Sequence, residues 1–282
     1  MSKEPVILRG VAGLREQVAA WRKAGETVAL VPTMGALHDG HLSLMRLARS
    51  EADRAVASIF VNPAQFGPGE DYERYPRTEA EDVARLASAG VDAAFVPNAR
   101  EMYPEGFATK VHVERLGDVL CGAHRPGHFD GMALVVVKLL LSALPDVAIF
   151  GEKDYQQLQI IRRFTTDLNI PVRILGGAIE READGLALSS RNRYLSPGQR
   201  RAAVALPTAL KAVRDAVRAG GDPVAAAARA REDILAAGFD SVDYIEVRDP
   251  ASLEPVTAPG RPARVFGAAR LGATRLIDNW EI

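Results

Sequence analysis

The chain has one cysteine, Cys121, in 282 residues. No intrachain disulfide can form, and no cysteine-built metal cluster exists. There is no excess of charge of either sign: 35 Lys and Arg stand against 36 Asp and Glu, a formal net charge of −1. That removes the global positive field of a nucleic-acid binder and leaves room only for a local anion site. Long apolar runs are also missing. The longest, MALVVVKLLLSALP, is interrupted by Lys138 and Ser142 and closed by Pro145, so it is too short and broken for a membrane span. The opening MSKEPVILRGVAGLRE lacks the continuous apolar core of a signal peptide, and a cytoplasmic location is the expectation. Neither G-x-G-x-x-G nor G-x-x-x-x-G-K-[ST] occurs, which disfavours a dinucleotide dehydrogenase and a P-loop kinase. No internal repeat of fixed period is present.

What remains is an ordinary globular composition, 48% hydrophobic and 25% charged, at a length comfortable for two domains. Apolar runs and amphipathic stretches alternate. Helix is predicted over 11–24, strand over 28–32, helix over 42–50, strand over 55–61, helix over 78–90 and strand over 93–97. After residue 130 the pattern returns: a buried helix in ALVVVKLLLSAL, strand over 147–150, helix over 155–168, strand over 172–176. Strands alternating with helices imply a parallel sheet covered on both faces. The fold class expected is α/β, a Rossmann-like doubly wound parallel sheet over residues 1–179. Residues 180–282 differ in texture. A polar, turn-rich stretch leads into Ala/Arg-rich helices over 198–219 and 223–236, then three short strands in VDYIEVRD, ARVFGAARL and TRLIDNW. They form a smaller C-terminal helical and stranded domain.

Parallel sheets bind ligands beyond the carboxyl ends of their strands, and four polar segments stand out. PTMGALHDGH places His38 and His41 three residues apart around Gly40, just before a helix. Helix-start N–H groups favour anions, and imidazoles there can donate to phosphate oxygens. A polar surface turn and a zinc pair are the rival readings; zinc needs a third protein ligand. GEKD leaves a strand through Gly151 and offers Lys153 as a mobile positive charge for phosphate. Asp154 either caps the next helix or faces a ligand, and Gln157 follows on that helix. NPAQFG pairs Asn62 with Gln65, neutral amides suited to hydroxyl and carboxylate recognition, or an Asx turn closed by Asn62. EDYERYPRTEAED adds Asp71, Tyr75, Glu81 and Asp82, a candidate Mg²⁺ side or a solvated helix start. SSRN sets Ser189 and Ser190 beside Arg191, a phosphate-binding composition or a linker.

Together PTMGALHDGH, SIFVNPAQFGPGEDYERYPRT, EMYPEGF, RPGHFDG, FGEKDYQQL, DGLALSSRNRYLS and RLGATRLIDN resemble the pantothenate synthetase (pantoate–β-alanine ligase) family over nearly the whole chain. The histidine block also resembles the His-x-Gly-His signature of the wider nucleotidyltransferase superfamily. The resemblance implies a Mg²⁺- and ATP-dependent, two-step synthesis in a cytoplasmic homodimer. Pantoate attacks the α-phosphate of ATP, pyrophosphate leaves, and β-alanine then converts pantoyl adenylate to pantothenate and AMP. By the family pattern His38 and His41 contact ATP phosphates. Pro32, Thr33, Met34 and Gly35 line the junction of nucleotide and pantoate. Gln65 and Gln157 bind pantoate, and Asn62 supports the region of the incoming amine. Lys153, Ser189, Ser190 and Arg191 hold phosphates, Gly151 and Asp154 line the nucleotide site, Asp82 is the metal-side aspartate, and Tyr75 closes over substrate.

This chain departs from the family at Asp130, where an arginine is frequent, and at Leu141, Leu144 and Arg85. Two other functions fit parts of the pattern: a nucleotidyltransferase that releases a nucleotidylated product, and a nucleotide sensor without turnover. Product analysis separates them. The ligase should form AMP only when pantoate and β-alanine are both supplied; ADP in its place would mean that another phosphate is attacked.

Overall fold

The computed structural model describes residues 4–282, which divide into two compact units. The first runs to Asp118 and also takes Arg125–Glu152 and Gln157–Ala178; the second takes Val119–His124, Lys153–Gln156 and Ile179–Ile282. The sequence suggests one cut after residue 179. In the structure the long cut follows Ala178, and two short segments also leave the first unit for the second. The bonds that draw them there span long stretches of chain: Cys121 Sγ lies 3.0 Å from Tyr244 Oη, and Asn279 Nδ2 donates to the Lys153 carbonyl at 3.0 Å. No local pattern announces such pairings.

In chain order the elements up to residue 177 are β1 (Val6–Leu8), α1 (Val11–Lys23), β2 (Val28–Thr33), α2 (Asp39–Glu51), β3 (Arg54–Ile59), α3 (Glu79–Ser88), β4 (Ala93–Phe95), α4 (Ala99–Met102), α5 (Cys121–His124), α6 (His128–Ala143), β5 (Val147–Gly151), α7 (Tyr155–Asp167) and β6 (Arg173–Gly177). The first unit is built on a six-stranded sheet of order β1-β4-β3-β2-β5-β6. Every neighbouring pair in it is parallel. The central strands are apolar along their length because helices cover both faces. Leu14, Val18 and Trp21 recur at helical spacing and are the buried stripe of α1. Ala29, Val31, Met45, Ala57, Leu86 and Ile149 belong to a core cluster on the sheet. Chain order reverses between β2 and β5, the switch point at which doubly wound sheets bind ligands. β2 runs out into PTMGALHDGH, and β5 ends on Gly151.

Three elements of this part are absent from the sequence reading. β1 is a short, largely exposed edge strand, so it shows no alternation of apolar and polar residues. α4 and α5 are single turns of four residues each, too short for periodicity to register.

The second unit contains α8 (Pro197–Ala202), α9 (Ala205–Arg218), α10 (Pro223–Ala236), β7 (Ser241–Arg248), β8 (Arg264–Leu271) and β9 (Thr274–Glu281). The strands form an antiparallel sheet of order β7-β8-β9. Leu206, Leu210, Val213, Ile234 and Val265 share its core. The helix predicted over 198–219 is two helices, and Pro207 supplies the reason. Inside one continuous helix it would remove a hydrogen bond and clash with residue 203. Restarting at Ala205 puts Pro207 in a first turn, where N–H groups have no intrahelical partner.

The departure at Asp130 has a local partner. His112 Nδ1 lies 2.7 Å from Asp130 Oδ1. That hydrogen bond, with the charge of Asp130, raises the His112 pKa above its ordinary value. A raised folded-state pKa contributes stability below the unfolded value of about 6.5, and loses it as pH rises through the raised value. Both side chains are nearly half exposed, so the contribution to folding is small. Asp130→Asn should therefore move the His112 midpoint down in an NMR titration and leave the melting temperature almost unchanged; an unmoved midpoint would remove the pairing.

Candidate active site

The segment between β2 and α2 is turned back on itself. Gly35 has φ +82°, and a Cβ there would lie 2.9 Å from Asp82 Oδ2 and 3.1 Å from Ile59 Cγ2. Ala36 follows at φ 50°, a left-handed conformation that a non-glycine residue holds only when its surroundings enforce it. Asp82 is the enforcing group. Its Oδ2 accepts from Ala36 N at 2.9 Å, its Oδ1 from Leu37 N at 2.7 Å, and Thr78 Oγ1 lies 3.3 Å away. The residue is 1% exposed. A buried carboxylate is tolerable when donors surround it, and these donors are the loop itself. Thr33 completes the turn, giving its hydroxyl proton to Ser58 O at 2.6 Å while accepting from Gly35 N at 3.2 Å. Both oxygens of Asp82 hold the loop.

The held loop delivers His38 to the N-cap of α2, with His41 at the third helical position. The two residues bond reciprocally at the helix start: His41 N donates to His38 O at 2.8 Å, and His41 Nδ1 accepts from His38 N at 3.3 Å. Their rings lie 4.0 Å apart, centroid to centroid. Because His41 Nδ1 is an acceptor, its ring proton sits on Nε2. An imidazole with its Nε2–H as donor therefore stands in the first turn of a thirteen-residue helix, where the backbone already favours anions. No group of three or more His, Cys, Asp and Glu among the described residues is placed to hold a metal ion, so the zinc reading of this pair has no third ligand.

NPAQ lies beside the loop. Gln65 Nε2 is 3.0 Å from Met34 Sδ, and Gln65 Oε1 accepts from Asn62 Nδ2 at 3.1 Å. Met34 also lines a recess with Ile59, Phe60, Tyr72 and Arg77. Thioether sulfur is a weak acceptor, readily exchanged for a ligand oxygen. Asn62 is 1% exposed and fully engaged: Nδ2 also donates to Gly131 O at 3.0 Å, while Oδ1 accepts from Ala64 N at 3.2 Å and Tyr103 Oη at 2.7 Å. It closes the Asx turn and donates to Gln65. Burial pushes the Tyr103 phenol up to about 12 despite its bond to Asn62, so it remains a donor at neutral pH. Tyr75 is buried too, edge-on to Phe66 at 6.0 Å; it supports this loop from inside. Gln157 is half-buried on α7, and Pro32 is half-buried at the end of β2.

Four residues that the motif reading left without a role hold the same loop. Gly131, in α6, lies so close that a Cβ would fall 1.9 Å from Ala64 O. His128 Nδ1 is 2.8 Å from Gln65 O, and Arg125 Nη1 is 3.0 Å from His128 Nε2. A carbonyl accepts and a guanidinium donates, so His128 carries its proton on Nδ1. Arg125 forms two bonds of 2.6 Å to Glu70. Burial would raise the Glu70 pKa, but the bond and charge of Arg125 outweigh it and the net shift is down. RPGHFDG was the available signal; its spacing alone names no partner.

In the second unit, Lys153 occupies a 3₁₀ turn over Glu152–Asp154. Its ammonium lies 3.8 Å from Asp154 Oδ2, with 22% of the side chain exposed. Ser189 caps a 3₁₀ turn over Ser190–Tyr194, accepting from Arg191 N at 3.3 Å. Ser190 is buried, and Asn192 Nδ2 ties the turn to Ala187 O at 3.1 Å. The segment read as phosphate site or linker is thus a built turn.

Residues 6–281 match the pantoate-beta-alanine ligase family. The chain belongs to that family. The pantothenate synthetase of Paramagnetospirillum magneticum is 61% identical over 279 residues, covering 99% of this chain and 98% of the relative. The crystal structure of pantothenate synthetase from Thermus thermophilus superposes with a TM-score of 0.93 at 48% identity, over 98% of this chain and 99% of that one. The pantoate-beta-alanine ligase of Francisella tularensis, crystallised with beta-gamma ATP and beta-alanine, gives 0.84 at 33% identity, over 98% and 97%. For a ligase of this family, the NPAQ loop is the feature most exposed to a single packing change. Gly131→Ala should push that loop off Gln65's position and weaken pantoate binding about tenfold, the equivalent of one hydrogen bond of ~1.4 kcal/mol. Calorimetry should find ATP binding retained; unchanged pantoate affinity would detach Gln65 from the substrate.

Proposed function

We propose that the chain condenses (R)-pantoate with β-alanine, at the expense of ATP, through pantoyl adenylate. The observation that carries the reading is the capped histidine pair at the N-terminus of α2, held at the switch point of a parallel sheet. In the first step a pantoate carboxylate oxygen bonds to the α-phosphorus as the bond to pyrophosphate breaks. In the second the β-alanine nitrogen bonds to the activated carbonyl, AMP leaves, and the amine loses its proton. Charge gathers on phosphate oxygens in the first step, and preorganised donors stabilise it there. His41 Nε2–H is such a donor, with His38 fixing its tautomer and the α2 N-terminus adding its field. Lys153 and Arg191 supply full positive charge, Ser189 and Ser190 neutral donors. Gly151 and Asp154 flank the nucleotide, and Pro32, Thr33, Met34 and Gly35 shape its junction with pantoate. Gln65 retains one N–H and one lone pair for a pantoate hydroxyl, with Gln157 as its counterpart.

Mg²⁺ belongs with this chemistry, but the donor set does not fit a dedicated protein cage, since both Asp82 oxygens accept from the histidine loop. A cation that keeps its waters and rides on the nucleotide's phosphates matches the site better. The same reading takes the enzyme to be a cytoplasmic homodimer. Leu141 and Leu144, exposed at the end of α6, support a second copy there. No helix among the described residues is long and apolar enough to cross a membrane.

With ATP, Mg²⁺ and pantoate alone, the enzyme should exchange labelled pyrophosphate into ATP. His41→Ala should slow that exchange about 10²-fold, the usual effect of losing one preorganised donor, and spare amide formation from supplied pantoyl adenylate. Equal slowing of both half-reactions in single-turnover assays would refute the assignment.

A further inference from the structure

One block of the sequence, RLGATRLIDN, has no part in the chemistry assigned so far. It ends on two adjacent residues of β9, Asp278 and Asn279, which are 3% and 1% exposed. A buried carboxylate beside a buried amide needs partners on both sides of the strand, and those partners are specific.

Asn279 Nδ2 donates to the Lys153 carbonyl at 3.0 Å, and its Oδ1 accepts from Arg264 Nη1. The Arg264 guanidinium lies 3.9 Å over the ring of Tyr155, so the turn that bears Lys153 is gripped at its own carbonyl and two residues later. Asp278 receives both arms of Arg181, at 2.7 and 2.9 Å, and accepts from Asn279 N at 2.8 Å. Arg181 in turn donates to Gly185 O at 3.0 Å and pairs its backbone with Ala187. Ala187 O is the acceptor that anchors Asn192 of the serine turn. One dipeptide thus backs both groups of phosphate-binding residues in the second unit. Burial pushes the Asp278 carboxyl up, against the opposing pull of Arg181 and Lys153, so Asp278 also senses the lysine charge.

We propose that Asp278 and Asn279 are positioning residues for adenylation: Asn279 sets the Lys153 turn through its carbonyl, and Asp278 sets the Ser189–Ser190–Arg191 turn through Arg181. The inference rests on the phosphate role proposed above for Lys153. The Asp154 carboxylate stands 3.8 Å from the ammonium, beyond hydrogen-bond reach, so that pair does not fix the charge and the backbone under the lysine helps to govern where it lies. Displacement of a reacting or stabilising group by about 1 Å can cost about 10²-fold in rate.

The decisive variant is Asn279→Asp, close in shape to asparagine. It keeps an acceptor for Arg264 and turns an oxygen toward the Lys153 carbonyl. In the full-length enzyme, Asn279→Asp should slow pyrophosphate exchange about 10²-fold and leave the pantoate KM unchanged. Asp278→Asn, which keeps the shape and removes the charge, should weaken exchange less and raise the ATP KM. Combined with Lys153→Ala in single-turnover adenylation, Asn279→Asp should cost little more, because the group it positions is already gone. Equal losses with and without Lys153 would mean that Asn279 serves only the fold, and the proposal would fall. Should Asn279→Asp lose its folded circular dichroism, Asn279→Ser runs the same cycle, and its two outcomes decide the matter in the same way. Full exchange activity in Lys153→Ala alone would overturn the phosphate role of the lysine, a failure visible without any change at Asn279.

Discussion

The histidine half of the site depends on one buried carboxylate. Asp82, on α3, takes the backbone N–H groups of two consecutive residues, Ala36 and Leu37, and thereby holds a turn containing two successive positive φ angles. Without that acceptor the two N–H groups would be buried and unpaired, which is costly. With it, the chain leaving β2 is bent sharply enough to start α2 at once. His38 falls on the cap and His41 in the first turn. Gly35 is the companion constraint, since its Cβ would occupy the space of the same carboxylate. The electrostatics follow from this geometry. His41 Nδ1 accepts from a backbone N–H, and that bond places the ring proton on Nε2.

A second network does for the amide face what Asp82 does for the phosphate face. Tyr103, Arg125, His128 and Gly131 surround the NPAQ loop, whose own Asn62 bonds to Gln65, and together they give Gln65 a defined orientation. The polar partners in it are matched in kind: guanidinium to imidazole, imidazole N–H to carbonyl, phenol to amide oxygen. Such a network has one good arrangement, so it specifies geometry as well as contributing stability. The second unit repeats the principle with β9 behind the Lys153 and serine turns. His41, Gln65 and Lys153, one in each place, are half-exposed. The groups that hold them are buried or half-buried and bonded to named partners.

The architecture, and the places where polar chemistry leaves the sheet, were legible in the amino-acid order alone. Short apolar runs and stripes at helical spacing are local properties of the chain. They suffice for the α/β alternation of the first unit, for three strands in the second, and for the strand exits carrying His38, His41, Asn62, Gln65 and Gly151; the antiparallel pairing of those three strands came from the structure. The motif blocks, being long and ordered, carried the family as well. The division of labour among those residues came instead from packing. Asn62 could be read as a ligand group or as the closer of an Asx turn, and Asp82 as a metal-side group or part of a helix start; the structure shows the bonds each makes to backbone, and buries Tyr75. His128 and Asn279 had no assigned role, yet each grips by its carbonyl a residue proposed to meet substrate. The reason is physical. A side chain's type announces which bonds it can make, but a backbone carbonyl is the same at every position. Which carbonyl a buried amide or imidazole finds is settled only when distant segments pack.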